Sequence, residues 1–202
     1  MGSDGYGRGG PPLIRTVVAD LAAVARLKGG RRLSLTSAID VLALPGTWAV
    51  ILFRVAAACH RTGLRPFSRM LYFLNVVMFG ADLAPGARVG PGLCLPHPVG
   101  TGWGSGLTVG EGVIMTGAVR FGTAAAQDES RMGQPTVGDH VVLLDGAKAM
   151  GPVVIGDRAV VAANALVLHD VPPDAIVVGQ PARVVKMRHE RPGAAPADGT
   201  PR

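Results

Sequence analysis

Residues 136–170, TVGDHVVLLDGAKAMGPVVIGDRAVVAANALVLHD, place an apolar or small residue at every sixth position: Val137, Leu143, Ala149, Ile155, Val161 and Val167. The beat extends back through Val109, Met115 and Phe121 and, before a break, through Leu83, Val89 and Leu95. Most units follow that residue with a small one (Ala84, Gly90, Gly110, Gly122, Gly138, Gly156, Ala162), as a backbone corner that excludes larger side chains requires. The fifth position is small or β-branched, at Ala87, Val113, Val119, Val141, Ala147, Val153, Ala159 and Ala165. One short strand and one turn per six residues predicts a parallel β-helix, whose stacked coils bury a continuous apolar interior. At about 18 residues per coil, the segment from Leu83 to Pro172 amounts to about four coils once an excursion at Thr123 to Thr136 is set aside.

Outward from the repeat, Leu13, Val17, Leu21, Val24 and Leu27 share the face of one amphipathic helix. A second helical run starts near Ser37, breaks at Pro45 and Gly46 and continues to about His60; a third covers Pro66 to Phe79. The organisation expected is a disordered N-terminus (1–12), a helical segment (13–81), a hexapeptide-repeat domain (82–188) and a disordered tail (189–202). The fold class is mainly β, a β-helix behind an N-terminal α-helical segment. The apolar runs at 48–53 and 70–79 fall short of the ~20 residues a membrane span needs, and Arg54 interrupts the first. Burial against one another and against neighbouring subunits is the reading adopted, with peripheral membrane contact as the alternative.

The hydrophobic share of 48% supports a substantial core, and the aromatic share of 4% suits a narrow interior that excludes rings. A net charge of +6 permits nucleic-acid binding, but the basic residues are scattered and no recognition motif accompanies them, so none is expected. Lys148, Arg183, Lys186 and Arg188 lie near enough to the repeat to serve a phosphorylated cofactor, although Arg183 serves equally to pack the exit from the coil. Cys59 and Cys94 read as small core residues, and the histidines lack metal-ligand spacing, so neither a disulfide nor a metal is expected. The Gly-rich opening has no apolar run behind it, and a cytoplasmic location follows by default.

Two breaks interrupt the beat, and such interruptions are where function is usually grafted. The first, between Leu95 and Val109, holds His97 and Trp103. His97 stands 15 residues after Asp82, which puts the two on neighbouring coils. A carboxylate at one imidazole nitrogen would leave the other free as a base, while a structural histidine at a coil corner is the plain alternative. Trp103 either lines a ligand channel or caps the apolar interior. The second break, 124–135, is polar and must project from a corner. Glu111 is a turn residue, and His60, His140, His169 and His189 have no partner spacing.

Three stretches carry a family resemblance. VLALPGTWA (41–49) with Arg54 precedes the coil, DLAPGARVGPGLCLPH (82–97) is similar to D-I-H-P-x-A-x-I-G-x-G-x-x-x-D-H, and VPPDAIVVGQPARVV (171–185) closes the coil. On these the chain resembles the serine acetyltransferase branch of the hexapeptide acyltransferases, over about Leu42 to Lys186. The resemblance implies a left-handed β-helix, a trimer or a multiple of it, and acetyl transfer from acetyl-CoA to the hydroxyl of a small acceptor. Asp82 and His97 fall on the catalytic carboxylate and histidine. Gly146, Ala147, Lys148, Ala163 and Lys186 match positions along the CoA groove between subunits, although Lys148 could instead be solvated at a coil edge.

The departures concern the acceptor. Where the family carries an aspartate before the histidine this chain has Pro96, and where the excursion ends in Arg-His-Pro it has Gly133, Gln134 and Pro135. Arg131 nearby is either a substitute cation or a solvated loop residue. The positions expected to face the acceptor are therefore Pro96, Trp103, Arg131 and Gln134. Alternatives to a serine-like acceptor are a sugar or natural-product hydroxyl or amine, or a non-catalytic scaffold, against which the Asp82 and His97 pair argues. The family's C-terminal isoleucine, which engages a sulfhydrylase, has no counterpart in a chain ending Thr-Pro-Arg, so no stable sulfhydrylase complex is expected.

Overall fold

A computed structural model of the protein describes residues 12–27, 35–123 and 132–188. Arg131, most of the excursion and, apart from Pro12, the terminal segments assigned to disorder lie outside the described residues. Four helices lead: α1 (Leu13–Leu27), α2 (Leu35–Leu42), α3 (Pro45–Arg61) and α4 (Arg65–Phe79). Pro45 opens α3 at a position whose N–H no helix bond needs, behind Leu44 in an extended conformation. Gly80 ends α4 at φ +60, a left-handed cap that turns the chain into the coil. Among the described residues no helix is long and apolar enough to cross a membrane.

Three sheets form the faces of the left-handed β-helix. The first holds β1 (Asp82–Leu83), β3 (Gly102–Trp103), β6 (Arg120–Gly122), β9 (Lys148–Met150) and β12 (Leu166–Val167). The second stacks β2 (Arg88–Val89), β4 (Thr108–Val109), β7 (Thr136–Val137) and β10 (Val154–Ile155). The third stacks β5 (Ile114–Met115), β8 (Val142–Leu143), β11 (Val160–Val161), β13 (Ala175–Val178) and β14 (Arg183–Met187), the last pair antiparallel and every other pair parallel. The chain enters the first sheet five times, one pass more than four coils would give, because β3 lies inside the first break of the beat; β13 continues the third sheet beyond Pro172.

The beat-marking residues point inward and are buried, with the exception of Val89, and so are all the fifth-position residues from Ala87 to Ala165. The expectation that the interior excludes rings is corrected: Trp103 and Phe121 both lie in the core. Trp103 fills the top of the coil and meets Phe53 of α3 edge to face at 5.3 Å between centroids.

One buried ion pair fastens the helices to the coil. Arg54 of α3 donates from Nε to Asp20 Oδ2 at 2.8 Å and from Nη2 to Asp20 Oδ1 at 3.1 Å, so α1 and α3 are tied. The same guanidinium donates to the Val89 and Gly90 carbonyls at 2.5 and 2.7 Å, and Asp20 Oδ1 accepts the Leu93 N–H at 2.9 Å. Burial pushes the Asp20 carboxyl above its usual range, against the pull of Arg54. These bonds hold residues 89–93 and hence the approach to His97.

Candidate active site

His97 is placed by contact between a helix end and a corner of the coil. Gly46, in the first turn of α3, lies so close to the Leu95 and Pro96 carbonyls that a Cβ there would collide with them. Any side chain would push the segment before His97 outward. Pro96 is therefore buried beneath α3. The expectation that it faces the acceptor is corrected: its ring is sealed within the chain and brings no polar group.

His97 itself is exposed and pairs as a parallel bridge with Gly117 on the next coil. The corner continues from Gly117 to Gly146, whose N–H donates to the Gly117 carbonyl at 3.0 Å, and from Asp145 to Asn164, whose N–H donates to the Asp145 carbonyl at 2.8 Å. Gly117 and Gly146 add no side chain to this corner and Ala163 only a methyl, whereas the Asp145 carboxylate lies against Gly117 and the Asn164 amide against Gly146. Lys148 stands beside it, its Nζ donating to the Gly146 carbonyl at 3.2 Å.

Asp82 opens the first sheet, in register with Gly102 and, through it, with Arg120 and Lys148. Because Gly102 has no side chain, Arg120 reaches across it, and Asp82 Oδ2 lies 3.8 Å from Arg120 Nη1. Oδ1 accepts the Tyr72 hydroxyl of α4 at 2.6 Å. That bond holds the Tyr72 phenol above its usual range, with burial and the carboxylate's charge acting the same way. Among the described residues no hydrogen bond joins Asp82 to His97. Among the described residues the side-chain partners of the Asp82 carboxylate are Tyr72 and Arg120. Neither was found from the sequence, since a residue on α4 and one two coils away carry no local spacing signal.

The remaining expected residues divide by corner and burial. Trp103 is a core residue, its indole N–H buried and without a hydrogen-bond partner, so it caps the interior rather than meeting the acceptor. Ala147 points into the core with no exposure, which corrects its assignment to the CoA groove as far as its side chain is concerned. Gly146, Lys148 and Ala163 do share the His97 corner, whereas Lys186 is exposed on β14 at the far end of the third sheet. Gln134 packs over Gly104 and Gly106, at the opposite end of the first sheet's strands from His97, with Oε1 buried and unpartnered. Cys94 is buried, its thiol pushed up to about 11 by burial and by the charge of Asp20, which leaves it unreactive.

Comparison with known proteins agrees with this architecture. Residues 134–169 match the family model described as bacterial transferase hexapeptide (six repeats). The serine acetyltransferase of Mycobacterium tuberculosis is 34% identical over 158 residues, 78% of this chain and 68% of its own length. The crystal structure of Neisseria gonorrhoeae serine acetyltransferase in complex with serine superposes with a TM-score of 0.75 at 27% identity, over 85% of this chain and 68% of that one. The Brucella abortus serine acetyltransferase in complex with coenzyme A gives 0.76 at 29% identity, over 85% and 67%.

Proposed function

Because the chain belongs to the serine acetyltransferase family, we propose that the corner carrying His97 is its catalytic centre, with this imidazole as the general base. The protein is an acetyl-CoA-dependent O-acetyltransferase. The observation that supports the site most is the corner itself: exposed His97 beside Gly117 and Gly146, which carry no side chain, and Ala163, with Lys148 alongside. A thin pantetheine chain fits along such small residues, and a lysine at its edge suits a phosphate. Acetyl-CoA supplies the acetyl group as a thioester and leaves as the thiol. His97 takes the proton from the acceptor hydroxyl as its oxygen attacks, then returns it to the leaving sulfur. Backbone N–H groups of the glycine-rich corner are the donors available to the developing oxyanion. Asp82 adds a negative charge to the adjoining face, fixed there by Tyr72 and Arg120.

The acceptor we propose is a bulkier or uncharged hydroxyl compound rather than serine. Pro96 is sealed under α3, Gly133 and Gln134 provide no cation, and Arg120 is already paired with Asp82. A zwitterion entering a partly desolvated site needs its carboxylate paired. L-serine should therefore show a specificity constant about tenfold or more below the best hydroxyl acceptor in a panel of homoserine, sugars and nucleotide sugars, measured by thiol release. Efficient acetylation of serine that disappears in Arg131→Ala would show that the excursion rebuilds the clamp.

A trimer or a multiple of it is proposed as well. α4 leaves Phe67, Met70, Phe73, Val77 and Met78 exposed, an apolar face that water does not favour, and Gln134 can meet a His97 corner only across a subunit boundary. Light scattering at micromolar concentration should give three chains or a multiple, and a monomer mass would contradict it.

A further inference from the structure

We propose that the cavity between the α3–α4 turn and the first corner of the coil holds the phosphate group of a phosphorylated acceptor, an inference that rests on the acceptor being a bulkier hydroxyl compound. His60 of α3, Arg65, Arg69 and Tyr72 of α4, and Ala84 and Ser105 of the coil line a space of about 350 Å³. That volume falls within the ~300–1,000 Å³ of small-molecule sites. Arg65, Ser68, Arg69 and Tyr72 stand at i, i+3, i+4 and i+7, so one stripe of α4 forms a wall of the cavity. The exposed Phe67, Met70 and Val77 lie on the other side of that helix, so a neighbour packed there leaves the cavity open.

The basic side chains of this wall are unmatched. Elsewhere Arg54, Arg120 and Arg158 each meet an aspartate, at Asp20, Asp82 and Asp174. Among the described residues Arg65, Arg69 and His60 have no ion pair and no side-chain hydrogen bond. Arg65 stands in the first turn of α4, which holds no acidic residue, at the positive end of the helix dipole. Arg69 follows at i+4, a spacing at which like charges disfavour a helix. An arrangement that repels itself attracts a phosphate, whose oxygens can accept from both guanidinium groups while the dipole of α4 acts the same way. The wall is also fixed in place. Ser68 is buried and donates to the Ala56 carbonyl at 2.8 Å, and Tyr72 donates to Asp82 Oδ1 at 2.6 Å, so α4 is fastened both to α3 and to the coil.

The Tyr72 bond ties the cavity to the reaction. Asp82 opens the first sheet, and Gly80 just before it accepts the Gly100 N–H at 3.0 Å and packs against Val99. The segment that follows His97 therefore lies against the entrance to that sheet. From Arg65 to Tyr72 the helix rises about 10 Å, so the phosphate and the reacting hydroxyl stand well apart in the acceptor. Serine, whose carboxylate is two carbons from its hydroxyl, is too short to join them. A sugar phosphate or a nucleotide sugar is long enough; the two share the phosphate, and the test separates them.

Calorimetry on the full-length assembly measures the binding of glucose, a glucose monophosphate, uridine-diphosphate glucose and inorganic pyrophosphate, and thiol release from acetyl-CoA is followed with the same sugars. The tighter of the phosphorylated sugars should bind about tenfold or more above glucose, which identifies the source of the phosphate, and pyrophosphate should displace it. Arg65→Gln combined with Arg69→Gln should erase that preference in binding and in kcat/KM, with no fall in the thermal melt, since like charges are removed. Arg69→Lys alone should keep part of it. Equal binding of glucose and its phosphorylated forms by the parent protein would overturn the proposal, and so would a preference that survives the double substitution. A loss confined to KM for acetyl-CoA would do so too, by making the arginines a donor site. Full activity in His97→Ala would sink the base assignment by a separate result, and the binding comparison would still decide whether the cavity takes a phosphate.

Discussion

His97→Ala should lower acetyl transfer by about 100-fold or more, with the protein still folded and assembled. The size of the effect follows from removing the imidazole at this corner, without which the hydroxyl must lose its proton to water. The intact fold follows from position: His97 is exposed, and its side chain makes no hydrogen bond among the described residues. Its backbone bridge to Gly117 survives the substitution. Steady-state thiol release and a thermal melt, run on the same preparation, separate the two statements. Asp82→Asn should cost less, since the Tyr72 hydroxyl can still donate to an amide oxygen at that position.

The largest effect on stability is expected at Arg54. Arg54→Ala leaves Asp20 buried without its cation and strips the donors from the Val89 and Gly90 carbonyls. Breaking a buried pair from one side costs about 3–5 kcal/mol, more than the pair's net worth, because an uncompensated charge stays inside. Denaturant unfolding should show that loss. Asp20→Asn combined with Arg54→Met should recover part of it, since the stranded charge is then gone. A loss below about 1 kcal/mol for Arg54→Ala would mean that water reaches Asp20 and that the helices are not clamped to the coil as described.

The repeat was legible because each inward position recurs with the same chemistry, and a solenoid repeats its burial along with its sequence. Val89 broke the rule where the coil meets Arg54, whose bonds to the Val89 and Gly90 carbonyls belong to the helices and not to the repeat. Trp103 was ambiguous because it stands in a break, where periodicity cannot say whether a side chain turns inward. Only Phe53, on a helix fifty residues earlier, decides it. The helix break was readable from Pro45 and Gly46, which act through the local backbone.

At the site, His97 stood out through its motif, and its surroundings did not. Asp82 and His97 were singled out by spacing together with the motif they match, whereas neighbours in a coil are set by columns that breaks of unequal length shift out of any constant interval. Tracing the registers Asp82 to Gly102 to Arg120, and His97 to Gly117, needs the coordinates of the corners. The glycine at 102 was visible as a glycine, but its use as a gap between charged side chains was not. Ala147 illustrates the reverse case, a matched groove position whose side chain the same repeat assigns to the core.

The central claim is that this corner transfers acetyl groups from acetyl-CoA to a hydroxyl with His97 as the base. Its most direct measurement is acceptor-dependent thiol release from acetyl-CoA, followed side by side for the parent protein and folded His97→Ala across the acceptor panel. The account predicts release that rises with at least one hydroxyl acceptor, more strongly than with L-serine, and falls about 100-fold or more in the variant. Equal release from parent and variant with the same acceptor would contradict it.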